Sequence, residues 1–398
     1  MLEFFSSSVR IVNSERAAQE CIEVAFPNGV TDNCLAIIFN ATLGHRLDKV
    51  ANAIRKIIPS IPVFGASGCG ITGREGVGES MNELAIMAIC SPQKDELVSA
   101  AVSEIYGHNS YEKGIELAQQ LKKQSNGINV VYLICPGIDI DNILVLEAFR
   151  KTFGEDVTIF GGTSSDNMKG IHSYLYHDDA FSEHDAWAIG FADPTLKNIT
   201  RATHGFTAYG EPMIVTKAEG NRIYELNGHG AWSEYLEKLA KPQDAACGDT
   251  IPIGALAEEL TPELAKEYGN PHILRVITKH DGEVMYYPVT CSEGLKLWIT
   301  SRDENLIFSE QKRSLEYLQS NIGNGKPAAV FQTDCLARGR FLFNRIVKDE
   351  IITMMHNALS VDNIIPPWLG NYGFGEYARL GGKNTYHNYS TALLVLYR

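Results

Sequence analysis

Short apolar runs and helix-spaced apolar stripes follow one another along this chain in an order that repeats. The run Cys34-Leu-Ala-Ile-Ile-Phe39 is too short for a helix and predicts a buried strand ending on polar Asn40. Apolar positions 47, 50, 51, 54, 57 and 58 then keep helical spacing until Pro59 stops the helix. A strand at 61–64 runs into the Gly-rich segment Gly65-Ala-Ser-Gly-Cys-Gly70, which reads as a turn, and the next strand is 83–90. The same order returns with a strand at 130–134, a helix through Ile143 and Phe149 closed near Gly154, and a strand at 157–160. It continues with the turn-like Gly161-Gly-Thr-Ser-Ser-Asp166 and a strand at 186–191.

Aligning Phe64-Gly65-Ala66-Ser67 on Phe160-Gly161-Gly162-Thr163 brings Asn40 near Cys135, with an offset of 95 or 96 residues. An internal duplication is the simplest account. The C-terminal part reads first as hairpins, at 222–226 and around the His280-Asp281-Gly282 turn. Past residue 327 a weaker third copy emerges: a strand from Ala328 with polar end Thr333-Asp334-Cys335, a helix at 345–359, a Gly-rich loop at 370–375 and a strand at 391–397. The expected fold is α/β: a two-part protein with duplicated strand-helix-strand-turn-strand units and a mixed-sheet C-terminal half. The parts are a lead-in at 1–30, a duplicated domain at 31–218 and a C-terminal domain at 219–398.

Composition narrows the function. With 48 acidic against 35 basic residues the net charge is -13, which repels nucleic acid and anionic membranes. The purely apolar runs are far shorter than the roughly 20 residues of a spanning helix. The eight cysteines form no C-x-x-C pair and sit mostly in apolar runs, so they read as reduced and buried. A cytoplasmic protein is expected.

In open α/β sheets ligands bind beyond the carboxyl ends of strands. Ser67, Cys69, Thr163, Ser164, Ser165 and Asp166 occupy such ends, where they can bind a small polar molecule or equally satisfy their own turns. The G-x-x-G-x-G spacing at 65–70 is not a dinucleotide fingerprint, and no P-loop occurs. His172, His177 and His184, beside Asp178, Asp179 and Asp185, lack zinc-protease spacing and read as a solvated loop. The densest polar constellation is Cys335-Leu-Ala-Arg338-Gly-Arg340 with Gly370-Asn-Tyr-Gly-Phe-Gly-Glu376 and His387-Asn388-Tyr-Ser390. Arg338 can fork a ligand carboxylate, or pair with Glu376 and brace the loop.

The C-x-x-R after a strand, the G-x-x-x-x-G-E loop and the H-N-x-[ST] before the last strand resemble the C-terminal half of the FIST family. The duplicated F-G-[AG]-[ST] turns resemble its N-terminal half. Asn371 and Gly373 depart from that family's usual Gly loop. The resemblance implies a sensory module for small ligands, amino acids among them, with a signalling protein as separate partner. With the strand-end positions and the C-terminal constellation, the expected ligand-binding residues are Ser67, Cys69, Thr163, Ser164, Arg338, Tyr372, Glu376 and Asn388, in a cleft between the two halves. A second implication is a haem-binding nitric-oxide sensor regulating a histidine kinase, with His204 or His229 as axial ligand. The remaining alternative is a Cys-dependent enzyme with Cys335 as nucleophile and His387 as base, although no catalytic signature is present.

Overall fold

The computed structural model describes residues 1–167, 169–339 and 345–398. Three copies of one unit make up most of it. The first runs β1 (Glu3–Arg10), α1 (Ser14–Ala25), β2 (Cys34–Thr42), α2 (Leu47–Ile57), β3 (Val63–Gly68), a hairpin β4 (Ile71–Gly73) and β5 (Gly76–Gly78), and β6 (Glu83–Cys90). The second runs β7 (Leu97–Val102), α3 (Ser110–Gln124), β8 (Val130–Cys135), α4 (Asn142–Phe153), β9 (Thr158–Thr163), a hairpin β10 (Leu175–His177) and β11 (Ala180–Ser182), and β12 (Ala186–Phe191).

The third copy opens with β13 (Lys197–Thr203) and is interrupted by an insertion. The insertion holds β14 (Phe206–Glu219), β15 (Arg222–Leu226), β16 (His229–Gly230), α5 (Ala231–Lys238), α6 (Cys247–Thr250), β17 (Leu256–Glu259), α7 (Pro262–Tyr268), β18 (His272–Arg275), β19 (Lys279–Asp281), β20 (Val284–Tyr286) and β21 (Lys296–Arg302). The copy then resumes with α8 (Glu304–Ile322), β22 (Pro327–Cys335), α9 (Arg345–Leu359), β23 (Trp368–Gly373), a hairpin β24 (Glu376–Leu380) and β25 (Lys383–His387), and β26 (Thr391–Tyr397).

Each copy builds one sheet, and each sheet borrows its last two strands from another copy. The orders are β1-β6-β2-β3-β10-β11, β7-β12-β8-β9-β24-β25 and β13-β26-β22-β23-β4-β5. In all three the central pair is parallel and the rest antiparallel. This cyclic exchange of hairpins closes the three sheets around one axis. Their inner faces bury Ile38, Phe64, Tyr132, Phe160, Trp187, Phe331 and Leu369 in a shared core. The rings of Tyr132 and Phe331 lie 4.8 Å apart across it. The outer faces carry the helices, each amphipathic stripe lying on its own sheet. Insertion strands form a fourth sheet in the order β18-β17-β21-β14-β15-β20-β19, with β16 beside β15.

Several expectations are refined. The strands at 83–90, 186–191, 222–226 and 391–397 and the helix at 345–359 occur with those bounds. The third copy is a full structural counterpart of the other two. The Gly-rich segments read as turns begin as strand: residues 65–68, 161–163 and 370–373 complete β3, β9 and β23. Glycine is needed there for close approach rather than for turning. A Cβ on Gly162 would come within 2.2 Å of the Gly375 carbonyl oxygen, where β24 crosses β9. The His-rich stretch read as a solvated loop is the hairpin β10–β11, in which His177 and Asp185 are buried and hydrogen-bonded at 2.9 Å. The stretch at 1–30 carries β1, paired along its whole length with β6, and α1, capped by Asn13.

Candidate functional site

The parallel strands of all three copies end on the same side of the axis, and their carboxyl ends are laced together. Ser67 Oγ donates to the Ser165 carbonyl (2.7 Å) and accepts from Tyr174 N (2.8 Å). Ser165 N returns a bond to the Ser67 carbonyl (3.0 Å), and its hydroxyl donates to the Tyr372 carbonyl. Cys69 N reaches Ser165 Oγ (3.0 Å) and the Tyr372 carbonyl (3.2 Å). Thr163 Oγ1 accepts from Phe374 N (3.0 Å), and Ser164 N donates to the Cys135 carbonyl (2.9 Å). Asp166 turns both carboxylate oxygens onto backbone N–H groups of residues 169–172. These short polar side chains therefore hold copies one, two and three to one another, and all are buried.

A charged core lies beneath the end of β22. Asp334, fully buried, accepts from Gln332 Nε2 and Lys348 Nζ, both at 2.8 Å, and from Thr391 Oγ1. Arg338 Nε is 3.7 Å from Asp334 Oδ1, and its Nη1 donates to the His204 carbonyl. Lys348 also sits over the Tyr372 ring at 4.6 Å. In this interior a carboxylate balanced by two cations is tolerable where a lone charge is not.

The third copy also departs from its siblings at the start of its hairpin. Strand pairing sets Ile71 opposite Asn371, Leu175 opposite Ala66 and Glu376 opposite Gly162, so these three residues occupy equivalent places. Two are apolar; the third is a fully buried glutamate. Glu376 Oε2 accepts from Ser390 N (3.2 Å) and Ser390 Oγ (2.7 Å), whereas Oε1 has no hydrogen-bond partner among the described residues. Burial pushes this carboxyl well above the ordinary range, and Asp334 adds to the effect, which favours its protonated form. Opposite it stands His387, where the sibling hairpins carry Gly78 and Ser182. His387 Nδ1 lies 3.4 Å from the Tyr268 hydroxyl, and its Nε2 has no partner among the described residues. Burial, with Arg275 nearby, holds this imidazole down at about 3, hence neutral. Asn388 donates to the Phe374 carbonyl (3.3 Å) and to the Tyr386 hydroxyl (3.1 Å), while its Oδ1 has no partner among the described residues.

The structure thus collects Arg338, Glu376, His387 and Asn388 near one junction, where the second and third copies meet the insertion. Tyr372, on β23, is fully buried against Lys348. Cys335 belongs to the same cluster, but burial and the adjacent Glu376 hold its thiol well above the ordinary range, the reverse of an activated nucleophile. Both His204 nitrogens are engaged: Nε2 donates to the His272 carbonyl (2.9 Å) and Nδ1 accepts from Phe206 N (3.0 Å). That arrangement leaves neither nitrogen open to haem iron. His229 is exposed in the insertion. No group of three or more metal-ligating side chains occurs among the described residues. Arg340 lies outside the described residues.

Lys348 and Tyr268 escaped the sequence reading. Lys348 did leave a signal, since it falls on the stripe of α9 that buries Ile351, Ile352, Met355 and Leu359. A lysine at a core position implies a buried acid to meet it. Tyr268 comes from the insertion, and nothing in its spacing to residue 387 predicts their meeting.

Among proteins of known sequence, an uncharacterized protein of Mycobacterium bovis is 23% identical over 248 residues. An uncharacterized protein of Mycobacterium tuberculosis is 22% identical over 252 residues. Each match spans 60% of this chain and 60% of the relative's length. Among solved structures, a cyanuric acid hydrolase from A. caulinodans aligns over 100% of this chain and 99% of its own, at a TM-score of 0.41 and 6% identity. No helix among the described residues is long and apolar enough to cross a membrane. Residues 34–229, which run from β2 of the first copy through the second copy to the start of the insertion, match the FIST N domain, and this part of the chain belongs to the FIST family of sensory domains.

Proposed function

We propose that this FIST chain is a cytoplasmic sensor of a small polar, amino-acid-like ligand, which it binds at the junction around Glu376 and reports to a separate signalling protein. One observation carries the reading: of three equivalent hairpin starts, two are Ile71 and Leu175, and the third is a buried glutamate with an oxygen that has no partner among the described residues. An unsatisfied polar atom in a core costs about 1–3 kcal/mol, and Glu376 Oε1, His387 Nε2 and Asn388 Oδ1 are three in adjoining places. Such groups suit a ligand's donors and acceptors better than they suit packing. Arg338 and Arg275 supply a positive field for a carboxylate beside them. Binding rather than turnover fits the raised Cys335 thiol.

The test is thermal unfolding with a panel of free amino acids and related small acids and amides. A true ligand at 100 Kd adds about 2.7 kcal/mol of stability. That gain should vanish in Glu376→Leu, a variant matched to the sibling hairpin. A panel that shifts wild type and variant alike would overturn the site, and one that shifts neither would overturn the ligand class.

A further inference from the structure

Far from the Glu376 junction, two thiols face each other across the first sheet. Cys34 opens β2 and Cys90 closes β6, and the antiparallel pairing sets them directly opposite. Both lie toward the outer face: Cys90 is part of the apolar cluster under α1 and α2, and Cys34 packs against the edge of that cluster. Cross-strand partners on one face bring Cβ atoms about 4.5–5.5 Å apart, and small adjustment reaches disulfide geometry. An irregularity in the pairing between Cys34 and Ala36 supplies local slack. Both residues are free thiols, Cys90 buried and Cys34 half-buried. Cys34 also lines a solvent-open groove of about 580 Å³ with Thr31, Asp32, Lys94 and Gln124.

We infer that Cys34 and Cys90 are an oxidative modification site, a thiol pair that a small hydroperoxide converts into a cross-strand disulfide. One thiol attacks the peroxide oxygen and becomes a sulfenic acid, releasing water or an alcohol as the O–O bond breaks. The second thiol then attacks that sulfur, the S–S bond forms, and the sulfenic oxygen leaves as water. The two sulfurs are oxidised and the peroxide is reduced; a dithiol reverses the bond. The chemistry has a suitable asymmetry: hydrogen bonding from Cys34 draws the Cys90 thiol below its ordinary range, while the same contact, with burial, holds Cys34 up.

The position gives the bond a structural consequence. Ser91 N continues the ladder to the Asn33 carbonyl at 2.9 Å, and Ser91 Oγ donates to Glu96, which also receives the N-terminal amine. Residues 91–96 join copy one to copy two. A disulfide at 34–90 would tie the start of β2 to the end of β6 at that seam.

The test uses the full chain, reduced, exposed to hydrogen peroxide, then blocked with N-ethylmaleimide and mapped by peptide mass spectrometry. The expected result is loss of two hydrogens, a linked peptide pair containing Cys34 and Cys90, reversal by dithiothreitol, and a Tm a few degrees above the reduced form. Cys34→Ser should abolish the linkage, and Cys247→Ser, at the other half-buried thiol, should keep it. Should Cys34→Ser not fold, the wild-type map alone decides. Sulfinic or sulfonic acid at Cys34 without linkage, a disulfide between other cysteines, or no change in mass would each overturn the assignment.

Discussion

The hairpin of the second copy and the hairpin of the third do the same mechanical work with opposite chemistry. Each crosses to another copy's sheet and completes it, β10 on β3 and β24 on β9. At the crossing the second hairpin presents Leu175 and Ser182, and the third presents Glu376 and His387. Since Leu175 closes its junction without an ionisable group, Glu376 is not needed to close the other. Shared position identifies what the fold requires, and divergence at that position identifies what the fold merely permits. Permitted burial of a carboxyl and an imidazole is expensive, which points to use.

Acid should separate the two junctions most strongly. His204 and His387 are held neutral by burial, each down to about 3 from an ordinary value of 6.5. A group depressed in this way contributes stability above its unfolded pKa and loses it as pH falls toward the folded one. Each should therefore remove about 1.4 kcal/mol per pH unit below roughly pH 6. Urea denaturation across that range should show the slope, and His387→Ser, copying Ser182, should lessen it by at most about a third, since burial also holds His356 down, to about 4. An unchanged slope would mean that the imidazole is not held neutral by the junction.

Next in size is the charged core of the third copy. Asp334→Ala leaves Lys348 and Arg338 buried without their shared carboxylate and should lower the unfolding free energy by about 3–5 kcal/mol. Chemical denaturation measures this directly.

Glu376→Leu sharpens the comparison by making the third hairpin resemble the second. Replacing a buried ionisable group with an apolar one should leave stability unchanged or raise it by about 1–4 kcal/mol. A raised carboxyl contributes stability below the ordinary carboxylate range and loses it as pH climbs through the folded value, so the variant should also be the more stable form at alkaline pH. Thermal unfolding at neutral and alkaline pH checks both. A large loss at neutral pH would show that Glu376 is a packing necessity.

The smallest effect is kinetic. Cys335, its thiol held up by burial and by Glu376, should react with iodoacetamide at pH 7 far more slowly than half-buried Cys247, as timed alkylation would show.

Much of the scaffold was legible because it is written in local pattern. Runs such as Ala186–Phe191 and Thr391–Tyr397 are apolar on both faces, as strands buried between helices and an inner core must be. The stripe of α9 was equally plain. The opening strand of each copy was harder: β1 and β7 read weakly because they lie at sheet edges, and the insertion hides the start of the third copy.

The sequence by itself determined the repeated unit, the strand ends on which the polar residues sit, and the family resemblance, whose N-terminal half the match over residues 34–229 bears out. Tertiary structure alone decided what those residues touch. Ser67 and Ser165 became a clasp because hairpin exchange sets copy two against copy one. Glu376 became conspicuous because the same exchange makes it the counterpart of Ile71 and Leu175. Periodicity specifies which face of an element is buried, but burial beside a particular partner depends on contacts between residues hundreds of positions apart, and no local pattern encodes those.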